Sequence, residues 1–345
     1  MSSEKRMGWE VARELEQTKP STWERFKPEK GAVKAASWGV VAFLAIFLVG
    51  CWLAGNPFEA TQRIASPVVK ALGWEGTDNW KIFWGVVLLA VVFEFLDASA
   101  GMGYGTALTP LLLVLGFNPK QIVPVVMIQQ ATAGMVGTFL HKEFANVEWR
   151  FKPMTETVRL WLFIAVTGCI AVGISVTAVY KIFKVAKIWI SVYVAVLLIL
   201  MGIMSLVSAS RERPYRPNWM IFWGGLAAFN KGIGGGGYGP VVTIGGILSG
   251  IPVKTQMAIT ALSEGSICVF SILIWLLLLA SGEVIDFLLL PSMMLGSMFA
   301  ATIAPWMTRT FPERIWRWIV PTYSLLLAAY VTYKILPDVL NKLAG

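Results

Sequence analysis

The chain has 345 residues, a formal net charge of +9, 56% hydrophobic and only 14% charged residues, and a mean hydropathy of +0.66. That is far more apolar than a soluble domain, and the charges cluster between long uncharged runs, so the composition calls for an all-α polytopic membrane protein. The positive balance then reads as membrane topology, because no basic run is long enough for a nucleic-acid patch and Lys and Arg mark cytoplasmic loops.

Residues 1–36 form an arm in which Lys5, Arg6, Arg13, Lys19, Arg25, Lys27, Lys30 and Lys34 interleave with six glutamates, and it is expected to be a cytosolic amphipathic segment. The first apolar run, Ala35–Gly55, starts too late and is too long for a cleavable signal, so residues 37–55 are expected as an extra, retained transmembrane helix. Leu48-Val49-Gly50-Cys51 resembles a lipoprotein processing site, but Trp52 and Leu53 continue the apolar run behind an unusually long arm, and it is discounted. Residues 56–79 read as an extracytoplasmic linker. Further apolar runs follow at Ile82–Phe93, Ala98–Pro119, Gln121–Leu140, Leu160–Tyr180, Ile188–Ser210, Pro217–Asn230, Gly232–Val253, Thr255–Gly282, Phe287–Thr308 and Trp318–Tyr333. Runs of about 20 residues suffice for a helical span.

Two of these regions carry one pattern. Leu96–Gly116 reads LDASAGMGYGTALTPLLLVLG and Asn230–Gly250 reads NKGIGGGGYGPVVTIGGILSG. The shift that sets Gly103 on Gly237 also superposes Gly101 on Gly235, Tyr104 on Tyr238, Gly105 on Gly239, Gly116 on Gly250 and Lys120 on Lys254, which implies an internal duplication. Repeat 1 is expected over residues 80–208 and repeat 2 over 219–336. Paired interruptions in two halves of a membrane protein point to a transporter's binding site, each expected here to break a helix into a pair of shorter ones.

The basic clusters Lys142/Arg150/Lys152, Arg211/Arg213/Arg216 and Arg309/Arg314/Arg317 all fall on the cytoplasmic side if each glycine-broken unit crosses an even number of times. The Ser281–Asp286 loop then faces outward, as does Lys181/Lys184/Lys187, against the charge rule. On this assignment the repeats are inverted. A single crossing per unit would make them parallel instead.

Away from helix ends the apolar regions contain Glu94, Asp97, Lys231 and Glu264, and intramembrane charges mark functional sites by default. Asp97 and Lys231 are repeat mates, so the two opposite charges are candidates to meet near the pseudo-two-fold axis, as a structural pair or as an anion site opposite a proton acceptor. Glu94 shares a helix face with Asp97. Glu264 aligns with Gln130, and Ser263 with Gln129. The glycines have two readings: close helix packing, or breaks whose free N–H groups and positive helix end bind anions. The four consecutive glycines Gly234–Gly237 and a proline at 240, suited to a helix's first turn, favour the second.

The GYG strings differ from a potassium-channel filter in what precedes them and in their number per chain. Integral membrane enzymes are disfavoured because His141 is the only histidine and no nucleophile or metal-ligand set accompanies it; it reads as a solvated helix-end residue. Cys51, Cys169 and Cys268 lie unpaired in apolar runs as packing residues.

The two G-x-G-x-G elements, the turns Gly116-Phe117-Asn118-Pro119-Lys120 and Gly250-Ile251-Pro252-Val253-Lys254, and the following helix with Thr260 resemble the TauE/SafE family of sulfite and organosulfonate exporters, from Trp80 to Leu336. The resemblance implies an inner-membrane secondary carrier exporting sulfite, sulfoacetate or related sulfonates, coupled to the proton gradient, with the alternatives of an importer of the same anions or an anion channel. The arm, the extra helix and the linker depart from a compact family member. The expected anion ligands are Lys231, Gly101, Gly103, Tyr104, Gly105, Gly235, Gly236, Gly237, Tyr238 and Gly239. Asp97, Glu94 and Glu264 are the expected proton-coupling groups. No metal, cofactor or nucleic acid is expected; the partners are a small sulfur anion and the lipid bilayer, with a homo-oligomer left open and the N-terminus in the cytoplasm.

Overall fold

The computed structural model describes residues 7–53, 82–179, 187–208, 214–280 and 287–344. The linker at 56–79, Lys181 and Lys184, Arg211 and Arg213, and the Ser281–Asp286 loop lie outside the described residues. Every regular element described is helical: α1 Glu10–Thr18, α2 Thr22–Phe26, α3 Lys30–Leu53, α4 Trp84–Ala100, a π turn at Tyr104–Leu108, α5 Thr109–Val114, α6 Pro119–Glu143, α7 Glu156–Thr177, α8 Lys187–Ser208, α9 Asn218–Gly234, α10 Tyr238–Leu248, α11 Val253–Ala280, α12 Leu290–Thr310 and α13 Glu313–Ala344. Among the described residues five helices are long and apolar enough to cross a membrane, within α3, α6, α7, α11 and α13. Large apolar side chains stay exposed at helical spacing, as at Val166, Ile170 and Ile174 on α7, which suits a surface solvated by lipid.

The sequence breaks its helices twice in the same way. α4 ends at Gly101 and α9 at Gly235, both left-handed (φ 73° and 72°), each N–H returning to the carbonyl of the residue four before it, Asp97 and Lys231. Such a cap requires glycine, since a Cβ is penalised at positive φ. The short helices after the breaks stop alike: Phe117 N–H bonds Leu112 O and Gly116 N–H bonds Leu113 O, while Ile251 N–H bonds Gly246 O and Gly250 N–H bonds Ile247 O. Both are Schellman stops, with Gly116 and Gly250 at φ 100° and 82°. Pro240 stands in the first turn of α10, as expected.

The ends of the helices identify two poles of the bundle. At one pole Phe83 N–H donates to Ser292 Oγ at 3.0 Å and the Phe83 ring lies edge-on to Phe117, so the starts of α4 and α12 and the end of α5 are together. At the other pole Arg216 N–H donates to Ser249 O at 2.9 Å, Val253 N–H to Glu313 Oε1, and Tyr215 packs on Trp9 of the arm. Here the start of α9, the end of α10, and the starts of α11 and α13 meet. The pair α4/α5 thus leaves and returns to one pole, and α9/α10 leaves and returns to the opposite one. Packing follows the same exchange: α4 lies on α12 as α9 lies on α7, α6 on α12 as α11 on α7, and α6 on α11 and α8 on α13.

The arm folds into two short helices that dock on the bundle. Trp9 and Arg25 are buried; Gly8 O accepts Glu148 N–H and Met7 O accepts Thr157 N–H. Phe26 packs on Trp306, whose indole N–H donates to Phe26 O. A capping box of Ser21 and Glu24 starts α2. His141 is also buried rather than solvated: the loop after α6 turns beneath it, and Asn146 Nδ2 reaches both His141 Nδ1 at 3.0 Å and Pro305 O at 2.8 Å.

Candidate functional site

The two glycine breaks cross each other. A Cβ on Gly105 would collide with the Gly235 carbonyl, one on Gly236 with the Gly105 carbonyl, and one on Gly239 with the Gly101 carbonyl. At Gly105, Gly236 and Gly239 close backbone packing is therefore observed, whatever else the glycines do. Hydrogen bonds fasten the crossing: Gly237 N–H donates to Thr106 Oγ1 at 3.0 Å, and Thr243 Oγ1 donates to Gly101 O at 2.7 Å and meets Thr260 Oγ1 at 3.0 Å. Thr109, which aligns with Thr243, lies beside Gly235, which aligns with Gly101.

The charged residues gather behind this crossing. Lys231, on the last turn of α9, is fully buried, and its Nζ donates to Glu264 Oε1 of α11 at 2.6 Å. The direct partner of Lys231 is thus Glu264, whereas its repeat mate Asp97 stands close enough to interact electrostatically with both. Asp97 also lies near the Tyr104 N–H and near Gln130, the residue that aligns with Glu264. Glu94, one turn earlier on α4, accepts from Gln129 Nε2 at 2.7 Å and Gln130 Nε2 at 3.0 Å. Buried carboxylates are costly unless hydrogen-bonded, and here amide donors and one lysine meet that need.

Glu94, Asp97, Gln130, Thr260 and Glu264 line a cavity of about 20 Å³ between α4, α6 and α11, large enough for one water. Gly134 and Ala261 also line it, where α6 and α11 touch through glycine, Gly134 lying against the Ala261 carbonyl and Gly265. Tyr104 and Tyr238 are buried near the crossing; the hydroxyls of Tyr104 and Tyr323 lack hydrogen-bond partners, while that of Tyr238 lies by Ser263. Tyr323 Oη lies over Gly103. Asn230, beside Lys231, accepts from the Tyr193 hydroxyl, and its Nδ2 is unpartnered.

All thirteen expected site residues therefore lie at the crossing or around its cavity. Thr106, Thr109, Thr243, Asn230, Tyr193 and Tyr323 were not anticipated. Thr109 and Thr243 were findable, as polar repeat mates within apolar runs, and Asn230 as the buried neighbour of Lys231. Tyr193 and Tyr323 come from α8 and α13, far along the chain, and carry no local signal. Buried donors without partners, a fixed cation and nearby carboxylates can hold a small oxyanion and exchange a proton with it. Among the described residues no cluster of His, Cys, Asp and Glu suited to a metal ion occurs.

Residues 86–331 match the family model described as Sulfite exporter TauE/SafE. The chain is also similar to the probable membrane transporter protein YtnM of Bacillus subtilis (strain 168), 26% identical over 250 residues that cover 70% of this chain and 79% of that protein. No solved structure matches it.

Proposed function

This chain belongs to the sulfite exporter TauE/SafE family and is a multi-pass membrane transporter, and from that premise we propose that it exports sulfite, sulfoacetate or related sulfonates across the inner membrane with proton coupling. The observation that carries this reading is the buried Lys231–Glu264 pair beside two crossed helix breaks. An anion that takes Lys231 displaces Glu264. A bare carboxylate left in that site is unfavourable, so Glu264 takes up a proton as the anion binds, with Asp97 and Glu94 as neighbouring acceptors.

The opposite poles of α4/α5 and α9/α10 support two inverted repeats whose breaks meet at mid-membrane, the arrangement used for alternating access. The arm, the 144–155 loop and the 214–217 loop share one pole. Their lysines and arginines support a cytoplasmic assignment for that pole, with the C-terminus outside.

Anion and proton then travel together. For a dianion with one proton the moving complex keeps one negative charge, and an inside-negative potential drives it outward by about 2.3 kcal/mol per 100 mV. The same pair favours a second reading, import, where the inward proton gradient dominates. Flux of labelled sulfite and sulfonates in proteoliposomes, with pH gradient and potential imposed separately, distinguishes them. Export predicts flux that follows the potential, import predicts flux that follows the pH gradient, and no flux of any sulfur anion under either overturns the substrate reading.

A further inference from the structure

A second group of buried cations lies at the pole covered by the arm. Lys254, in the first turn of α11, is 1% exposed, and its Nζ donates to Glu16 Oε1 at 2.7 Å and to Arg309 O at 3.1 Å. Glu16 belongs to α1 of the arm, and the same Oε1 accepts the backbone N–H of Glu313 at the start of α13, at 3.0 Å. Arg309 is equally buried. Its Nη2 stands 3.7 Å from Glu29 of the arm, and neither its Nε nor its Nη2 has a hydrogen-bond partner. Arg25 adds a further buried cation, its Nε donating to Thr310 O at 3.0 Å. Glu313 is another carboxylate at this place, with its Oε1 accepting from Val253 N–H and Arg317.

One carboxylate oxygen held by a buried ammonium and a helix-start N–H is the coordination that a free oxyanion would receive. The repeat supplies the reason for regarding Glu16 as the occupant rather than the owner of this place. Lys254 has a repeat mate, Lys120, so its charge belongs to the duplicated unit, while Glu16 belongs to an arm outside both repeats. From Lys254 the helix α11 continues to Thr260 and to Glu264, about 15 Å deeper at 1.5 Å per residue, both on the central cavity.

We propose that Lys254 and the Glu313 N–H form a second site for a small oxyanion, occupied in this structure by the tethered carboxylate of Glu16. Arm and free anion compete for it. On the transport reading it is the point where anions enter from the arm's side; the binding claim itself does not depend on that reading.

The test uses the purified full chain and inorganic sulfate as probe, with thermal unfolding followed against chloride at matched ionic strength. Glu16→Gln removes the tethered charge and keeps the side chain's size. It should gain a saturable rise in Tm of several degrees with sulfate, absent from the wild type and lost again in Glu16→Gln/Lys254→Gln. A Glu16→Gln protein that survives purification only when sulfate is present supports the proposal equally. A Glu16→Gln protein indifferent to sulfate, one lost in both buffers, or a sulfate response that persists in the double variant overturns it. A protein that passes this test yet moves no sulfite keeps the site and loses only its connection to transport.

Discussion

The two glycine breaks share their backbone and differ in their charge. Both helices end at a left-handed glycine, both short helices stop in the same Schellman turn, and each break contributes backbone that the other packs against. Yet Asp97 and Gln130 line the cavity beside the first break, whereas beside the second Lys231 pairs with Glu264. Glycine is demanded by sterics at Gly105, Gly236 and Gly239, where a Cβ would meet backbone, and by positive φ at Gly101, Gly235 and Gly237. Charge is free to diverge, and its divergence turns a nearly symmetric scaffold into a single cationic position faced by acceptors on the other side.

The comparison breaks most severely at the contact itself. Gly105→Leu places a side chain against the Gly235 carbonyl, so the cost should exceed the ~1–3 kcal/mol usual for overpacking, because backbone cannot move aside as a side chain does. Loss of the monodisperse peak in detergent size-exclusion chromatography is expected. Gly237→Ala is the counterpart: the added methyl meets only Asn230, at ordinary contact distance, and its positive φ costs about 1–2 kcal/mol. That variant should fold, with a lowered Tm.

Lys231→Met should abolish anion binding and strand Glu264, a destabilisation of roughly 3–5 kcal/mol for a buried charge without its partner. Lys231→Met/Glu264→Gln should recover most of the stability and none of the binding. Recovery by Asp97→Asn instead of Glu264→Gln in the double variant would assign the pairing to the repeat mate and contradict the structure. A smaller and more selective effect is expected from Asp97→Asn, since the Tyr104 N–H and Gln130 still have an oxygen to meet. Binding should persist, and flux should keep a weakened dependence on an imposed pH gradient, because Glu264 still takes up the proton.

The smallest effect concerns the arm. Partial burial alone would raise the Glu10 carboxyl, but the N–H groups of Met7 and Gly8 and the nearby Arg13 outweigh it and hold the group below its ordinary 4.5. A lowered folded value means that the stabilisation is present above the ordinary glutamate range and is lost as pH falls through the folded value. Hydrogen exchange of the Gly8 region, corrected for intrinsic rates, should show weaker protection on acidification below that range. Glu10→Gln should flatten the dependence.

Much of this fold was legible because the breaks depend on local backbone demands. Glycines at 101, 103, 235 and 237 and stops at 116 and 250 are visible in any register that aligns the copies. Partner choice was not legible. Asp97 aligns with Lys231 and Gln130 with Glu264, so the alignment alone allows a pair along either axis, and only the packing of α9 on α11 selects Glu264. The contacts of the arm were hidden for a different reason. Its charges alternate as on a solvated helix, while Glu16 pairs with Lys254 and Glu29 lies 3.7 Å from Arg309, cations more than two hundred residues away. Trp9 and Phe26, large apolar residues in a charged arm, were local hints that this segment docks.

The central claim is that anion and proton share one event at Lys231 and Glu264. Calorimetric titration of the purified protein with sulfite, repeated in buffers of different ionisation enthalpy, counts the protons taken up on binding. The account predicts about one proton per anion for the wild type, as linkage requires when Glu264 is displaced, and anion binding without that uptake for Glu264→Gln. Binding to the wild type with no proton exchange, or uptake that persists unchanged in Glu264→Gln, would contradict it.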